Sequence, residues 1–246
     1  MKNRKNEKIL SVRISTSPIK NIISIVDKRL KKKEQTIIFT PNTQMLLRAE
    51  KSPAYQKILN ASTINLPDGI GIVLASKIRK GNIKKRIGGI DFAQVLLSLA
   101  EKKKYKIFLL GAKQNTALKA KRNLQKKHPS LLICGTHHGY FKKSGKENNA
   151  VIKKIAASSP DIIFVCFGTP DQEIWISKNK NRLPSATLFI GLGGSLDVFA
   201  GKTKRAPKLM QFTGLEWLYR TIKEPKRAKI FLDIPVFLFK VLTNKK

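Results

Sequence analysis

The chain has 246 residues, 41% of them hydrophobic, and carries 50 Lys and Arg against 15 Asp and Glu for a net charge of +35. With 15 glycines and 2 cysteines the composition excludes collagen and a small disulfide scaffold, a chain of this length can bury about 70% or more of its surface, and no apolar run reaches the roughly 18 residues of a membrane span. The charge favours anionic partners such as nucleic acid, phosphorylated substrates or an anionic bilayer, although lysine-rich solvated faces explain much of it equally well.

At the N-terminus MKNRKNEK is basic, but Arg13, Pro18 and Lys20 interrupt the following ILSVRISTSPIKNII. The expectation is a chain without a signal peptide that stays in the cytosol. Thr36 to Thr40 (TIIFT) reads as a buried strand, TQMLLRAEKS as helical, and Thr63 to Leu66 as a short strand before Pro67. GIVLASKIRK begins a second helix, and Asp91 to Lys104 repeats apolar residues at helical spacing. YKIFLLG is a strand ending in Gly111, NTALKAKRNLQKKH a helix, SLLICG a strand and NNAVIKKIAAS a helix. Asp161 to Gly168 is a strand, DQEIWISKNKNRL a helix, and ATLFIGLGG a strand ending in glycines.

Strands and helices alternating through short connections predict an α/β fold: a Rossmann-like open parallel sheet with helices on both faces. The expected core spans residues 1–201, with a lobe boundary near Lys80–Arg86. Residues 202–246 form a helical appendage, predicted to break at Pro207, Pro225 and Pro235. This tail has 12 Lys and Arg against 3 Asp and Glu, net +9, interleaved with large apolar residues. Cys134 and Cys166 sit in apolar runs and read as reduced core thiols.

Ligands in open α/β sheets bind beyond the carboxyl ends of the strands, so the loops just after each strand hold the candidates. Thr40 and Asn42 in FTPNTQ can hydrogen-bond a sugar, or serve as a helix N-cap and turn. Asp68 in NLPDGIG is a carboxylate placed to act as a general base, or a simple turn residue. FGTPDQE offers Gly168 and Gln172, and GLGGS offers Gly191, Gly193 and Gly194. Such glycines let backbone N–H groups approach a phosphate, and Gly111 gives a weaker signal of the same kind. The GxGxxG fingerprint is not met, because Leu196 falls at its last position. There is no P-loop, HExxH or GxSxG. The seven aspartates contain no DxD pair that would hold a divalent ion against a sugar diphosphate.

The stretches PDGIG, RIGGIDF, FGTPDQEIWISKNKNRLP and IGLGGSLDVFAGKTKRAPKLMQFTGLEWLYRTIKEPKR together resemble the WecG/TagA/CpsF family of bacterial glycosyltransferases. The resemblance covers roughly residues 36 to 240 and is most specific from Gly168 to Arg227. It implies metal-independent, inverting transfer of an N-acetylhexosamine-type sugar, such as N-acetylmannosamine or its uronic acid. The donor is a UDP-sugar and the acceptor a polyprenyl-diphosphate-linked saccharide, in teichoic acid or exopolysaccharide assembly. No cofactor is implied. By the same resemblance Asp68 is the catalytic base, and Thr40, Asn42, Arg86, Gln172, Arg220 and Arg227 contact substrate. A third basic position expected soon after Arg227 is not an arginine here, as Lys229 and Ile230 occupy the region. The tail's pattern suits peripheral association with the inner face of an anionic membrane. Homo-oligomerisation stays open, and no nucleic acid is expected. A nucleic-acid-binding protein and a catalytically silent membrane scaffold are the alternatives. Release of UDP in the presence of a lipid-linked acceptor separates the enzyme from both.

Overall fold

Residues 6–31, where the residues alone suggest no element, form a hairpin and a helix. Strand β1 (Asn6–Ile9) pairs antiparallel with β2 (Val12–Ser15), and α1 (Ile19–Lys31) follows. Arg13 and Lys20, which interrupt the apolar pattern, are exposed, while Ile9, Val12, Ile14, Ile22, Val26 and Leu30 face inward. The chain continues through β3 (Thr36–Phe39), α2 (Thr43–Lys51), α3 (Pro53–Asn60), β4 (Ile64–Asn65) and α4 (Ile70–Ile78). Next come α5 (Gly89–Lys103), β5 (Ile107–Gly111), α6 (Thr116–Lys127), β6 (Ile133–His137) and α7 (Gly145–Ser158). The remaining elements are β7 (Ile162–Cys166), α8 (Asp171–Asn179), β8 (Leu188–Gly191), α9 (Ser195–Phe199), α10 (Glu216–Lys223) and α11 (Lys229–Thr243). The computed structural model describes residues 6–207, 209–210, 216–223 and 229–244.

The chain divides into two units, each assembled from separated stretches. Unit one takes residues 1–18, 40–88 and 205–246, and unit two takes 19–39 and 89–204.

Unit two is the α/β part. Its strands run in the order β3-β8-β7-β5-β6, every neighbouring pair parallel. Every residue of β3, β5, β7 and β8 is buried, so both faces are covered and the strands read as continuous apolar runs. Helices α1, α6, α7 and α8 pack on these strands. Strand β6 lies slightly later than SLLICG suggests: Thr136 and His137 stay in register with Leu109 and Leu110, past an irregularity at Ile107/Phe108.

Unit one is built on the hairpin. Asn60 accepts the Arg13 N–H at 2.9 Å and donates to the Ser11 carbonyl at 2.8 Å, and Asn65 donates to the carbonyls of Arg13 and Leu59, both at 2.9 Å. These amides tie β1–β2 to α3 and β4. Helix α11 packs against α2 and α4. Gln44 on α2 donates to Asp233 at 2.6 Å, and Arg79 donates to the Asn244 carbonyl at 2.9 Å. The expected break at Pro235 does not occur, for α11 runs through it. Proline removes one helical hydrogen bond, while fully buried Phe237 and nearly buried Val241 anchor the following turns.

Candidate functional site

In unit one, two-residue β4 ends at a Pro67-Asp68-Gly69 turn that leads directly into α4. Backbone hydrogen bonds knit this turn to two distant segments: Asp68 N–H donates to the Pro41 carbonyl at 3.1 Å, and Ile87 N–H donates to the Pro67 carbonyl at 2.7 Å. Thr40, Asn42, Asp68 and Arg86 therefore lie on segments that meet. Gly69 has φ +96°, and a Cβ there would stand 4.0 Å from the Asn42 Cβ, so the turn closes onto the Asn42 loop. Asn42 Oδ1 accepts the Met45 N–H at 3.0 Å and caps α2. Thr40 is buried and Asp68 half-buried.

The loop carrying Arg86 is fixed from β1. Glu7 Oε2 accepts from the Ser76 hydroxyl at 2.8 Å and the Asn82 N–H at 2.9 Å, and Ser76 Oγ accepts the Ile83 N–H at 3.0 Å. Arg86 Nη2 lies 3.4 Å from Glu216 Oε2, and Arg205 reaches both oxygens of the same carboxylate at 3.3 and 3.4 Å. Arg205 and Glu216 are absent from the sequence-derived candidates, although both lie in stretches that carry the family resemblance. Arg220 falls within α10 with its side chain outside the described residues, and Arg227 lies outside them altogether.

In unit two, β5 is flanked by β6 on one side and β7 on the other, so the strand order reverses there. Such a reversal is where open sheets form their ligand crevice. Gly111 ends β5 in register with Cys166 of β7. Gly168 follows β7, and a Cβ there would meet open space. Gln172 is buried: its Oε1 accepts the Gly193 N–H at 2.9 Å and its Nε2 donates to Glu173 at 2.6 Å. A Cβ on Gly191 would stand 3.1 Å from the Gln172 amide. Gln172 thus shapes the Gly191–Gly194 loop, whose last glycine caps five-residue α9.

The loop after β6 adds an aromatic corner that sequence reasoning missed. Lys143 Nζ sits 3.8 Å from the Phe141 ring centre and 4.4 Å from that of Phe167, and donates to the carbonyls of Gly139 and Phe141. Phe167 packs edge-on against Trp175, and His137 stacks on His138. Burial draws both the Lys143 ammonium and the His137 imidazolium below their usual pKa ranges. The corner adjoins Gly111: Gly139 N–H donates to the Ala112 carbonyl at 2.8 Å, and a Cβ on Gly139 would stand 3.2 Å from the Gly111 Cα. The spacing of these residues follows no motif, which is why only the fold reveals them.

The family model described as "Glycosyl transferase WecG/TagA/CpsF family" matches residues 7–246. An N-acetylglucosaminyldiphosphoundecaprenol N-acetyl-beta-D-mannosaminyltransferase of Bacillus subtilis is 36% identical over 241 residues, covering 98% of this chain and 92% of that protein. Proteins of the same name from Bacillus spizizenii and Staphylococcus aureus are 37% and 36% identical over 209 residues, each match covering 85% of this chain and 79% and 80% of the relative. With a match over nearly its whole length and relatives this similar, the chain belongs to the WecG/TagA/CpsF family of glycosyl transferases.

Proposed function

We propose that this chain transfers an N-acetylhexosamine, N-acetylmannosamine in the first instance, from a UDP-sugar to a polyprenyl-diphosphate-linked N-acetylglucosamine. The observation that carries the reading is the Pro67-Asp68-Gly69 turn bonded to the Asn42 and Arg86 loops, in a chain 36% identical to an enzyme named for that reaction. Inversion at the anomeric carbon requires a base on the acceptor hydroxyl, on the side opposite the leaving group. Asp68 takes that proton as the new glycosidic bond forms and the bond to UDP breaks. Negative charge then develops on the β-phosphate, and guanidinium groups answer it with charge-assisted hydrogen bonds. Arg86 fills that role, with Arg220 and Arg227 as further donors. As the family resemblance implies, cations of the chain rather than a divalent metal stabilise the leaving group, in keeping with a sequence that holds no DxD pair. In unit two, backbone N–H groups at Gly168 and Gly194 are the candidates to receive a phosphate, since that of Gly193 is held by Gln172.

The tail faces an anionic membrane in this reading. Among the described residues, no helix is long and apolar enough to cross a bilayer. Yet Leu232, Val236, Phe239 and Leu242 of α11 are exposed at helical spacing, opposite buried Phe237 and Val241. An exposed apolar stripe on a helix binds in the plane of an interface.

Asp68→Asn keeps the turn but removes the base. Turnover on a short-chain lipid-linked acceptor should fall by about 10²–10⁴-fold, with UDP affinity within about threefold of wild type. Near-wild-type turnover in a folded Asp68→Asn protein would overturn the assignment.

A further inference from the structure

Gln172 joins the two glycine loops of unit two. Its backbone N–H donates to the Gly168 carbonyl at 3.3 Å, in the loop after β7. Its side-chain Oε1 accepts the Gly193 N–H at 2.9 Å, in the loop after β8. The amide must present its oxygen there, because a backbone N–H can only donate. Its Nε2 then faces the other way and donates to Glu173 Oε1 at 2.6 Å. Turned over, the amide would set –NH₂ against the Gly193 N–H and its oxygen against the carboxylate, donor on donor and acceptor on acceptor. Both ends therefore demand the same orientation, whatever else the carboxylate bonds.

Glu173 is 0% exposed and Gln172 2%. Burying a carboxylate costs free energy that hydrogen bonds must offset. A glutamate in the first turn of a helix complements the helix dipole equally well from the surface, so its place in α8 gives no reason to bury it. The Gln172 amide supplies one. Loop and amide also fit closely: Gly193 has φ +51°, and a Cβ on Gly191 would stand 3.1 Å from the amide carbon and nitrogen of Gln172. Gly194, next to the braced residue, caps α9.

We infer that Glu173 is a positioning residue: it fixes the Gln172 amide, and through Gly193 that amide holds the loop between β8 and α9 in the shape that the diphosphate of the donor meets. The diphosphate rests on the UDP-sugar reading above, whereas the brace rests on the bonds among Glu173, Gln172 and Gly193.

Two readouts on the full-length protein test this role: exchange of the Gly193 amide proton, followed by nuclear magnetic resonance, and affinity for UDP, measured calorimetrically. Glu173→Met keeps the length of the side chain and removes the acceptor. It should speed Gly193 exchange about tenfold or more and weaken UDP by a similar factor. Glu173→Gln keeps an acceptor for Nε2 and should stay within about threefold of wild type in both. Gln172→Met removes the brace itself and should match Glu173→Met. The double variant should bind UDP no more weakly than Gln172→Met, since Glu173 acts only through that amide. If Glu173 only stabilises the fold, Glu173→Met lowers the urea midpoint and leaves UDP affinity unchanged, and the inference fails. If the double variant loses the product of the two single effects, Glu173 acts by another route, and the inference fails again. A folded Glu173→Gln protein as impaired as Gln172→Met also overturns it. Should Glu173→Met not fold, Gln172→Met and Glu173→Gln decide by the same criteria. Wild-type protein that does not bind UDP overturns the donor reading, and the exchange series then decides the brace alone.

Discussion

Replacing Gly111 with Ala tests whether the β5–β7 junction is as tight as it looks. The added Cβ would lie 2.2 Å from the Cys166 carbonyl oxygen and 2.6 Å from its carbon. Both are backbone atoms of a fully buried strand, so a side-chain rotation cannot relieve the clash. Gly111 also has φ +140°, which a residue with a Cβ adopts only under strain. That strain costs about 1–3 kcal/mol. Moving β5 from β7 also weakens the hydrogen bond from Ala112 N–H to the Cys166 carbonyl at 3.1 Å, worth about 1 kcal/mol. The expected loss is about 2–4 kcal/mol, which at a urea dependence near 2 kcal/mol/M lowers the unfolding midpoint by about 1–2 M. Gly168→Ala is the matched control, because its Cβ meets nothing within 4 Å. It should shift stability by no more than about 0.5 kcal/mol while weakening UDP, if a phosphate approaches that backbone. Urea curves followed by far-ultraviolet circular dichroism read both. A Gly111→Ala protein with the wild-type midpoint would show that the strand ends do not constrain each other as described.

Three further outcomes follow from other parts of the molecule. Asn148 accepts the Trp175 indole N–H at 2.7 Å and donates to Asn179 at 3.0 Å inside unit two, so Asn148→Ala should cost about 1–3 kcal/mol by leaving that N–H unpaired; a thermal midpoint equal to wild type would contradict this. Burial and its hydrogen bond to Asp27 push the Tyr105 phenol up to about 12, above the value near 10 of an unfolded chain. The neutral phenol thus adds stability that is full below about pH 10 and lost as pH rises toward 12; Tyr105→Phe should flatten that loss, and parallel decline of both proteins across the window would refute it. Phe239 is 67% exposed on α11, so Phe239→Asp should leave folding intact yet weaken binding to anionic liposomes about tenfold or more; unchanged sedimentation with liposomes would remove the stripe from the membrane contact.

The sequence makes unit two legible because its strands are buried on both faces. Runs such as IFLLG and IIFVC admit few readings other than buried strands. Unit one is harder. Its hairpin strands are four residues each, NEKI and VRIS, too short for period two to stand out among the basic residues around them. Asp68 is found through its turn and through resemblance, yet its hydrogen bond to Pro41 belongs to tertiary structure. Glu7, Lys143 and Glu216 look like ordinary surface charges in KNEK, FKKSG and GLEW. Only folding shows that each carboxylate or ammonium meets partners from other segments. Pro235 misleads for the converse reason: local chemistry argues for a break, and burial of Phe237 and Val241 outweighs it.

The interleaving of the two units has a consequence for synthesis. All residues of unit two have been made once residue 204 is added, whereas unit one still lacks its third stretch, 205–246. Contacts such as Gln44 with Asp233 span 189 positions, so on the ribosome they form last. At about 5–20 residues per second, those final residues take a few seconds to appear. During that interval α2 and α4 are present without the helix that packs on them in the finished fold. A nascent chain stalled at residue 204 should therefore bind a hydrophobic dye or a chaperone through unit one, and lose that binding when α11 is released.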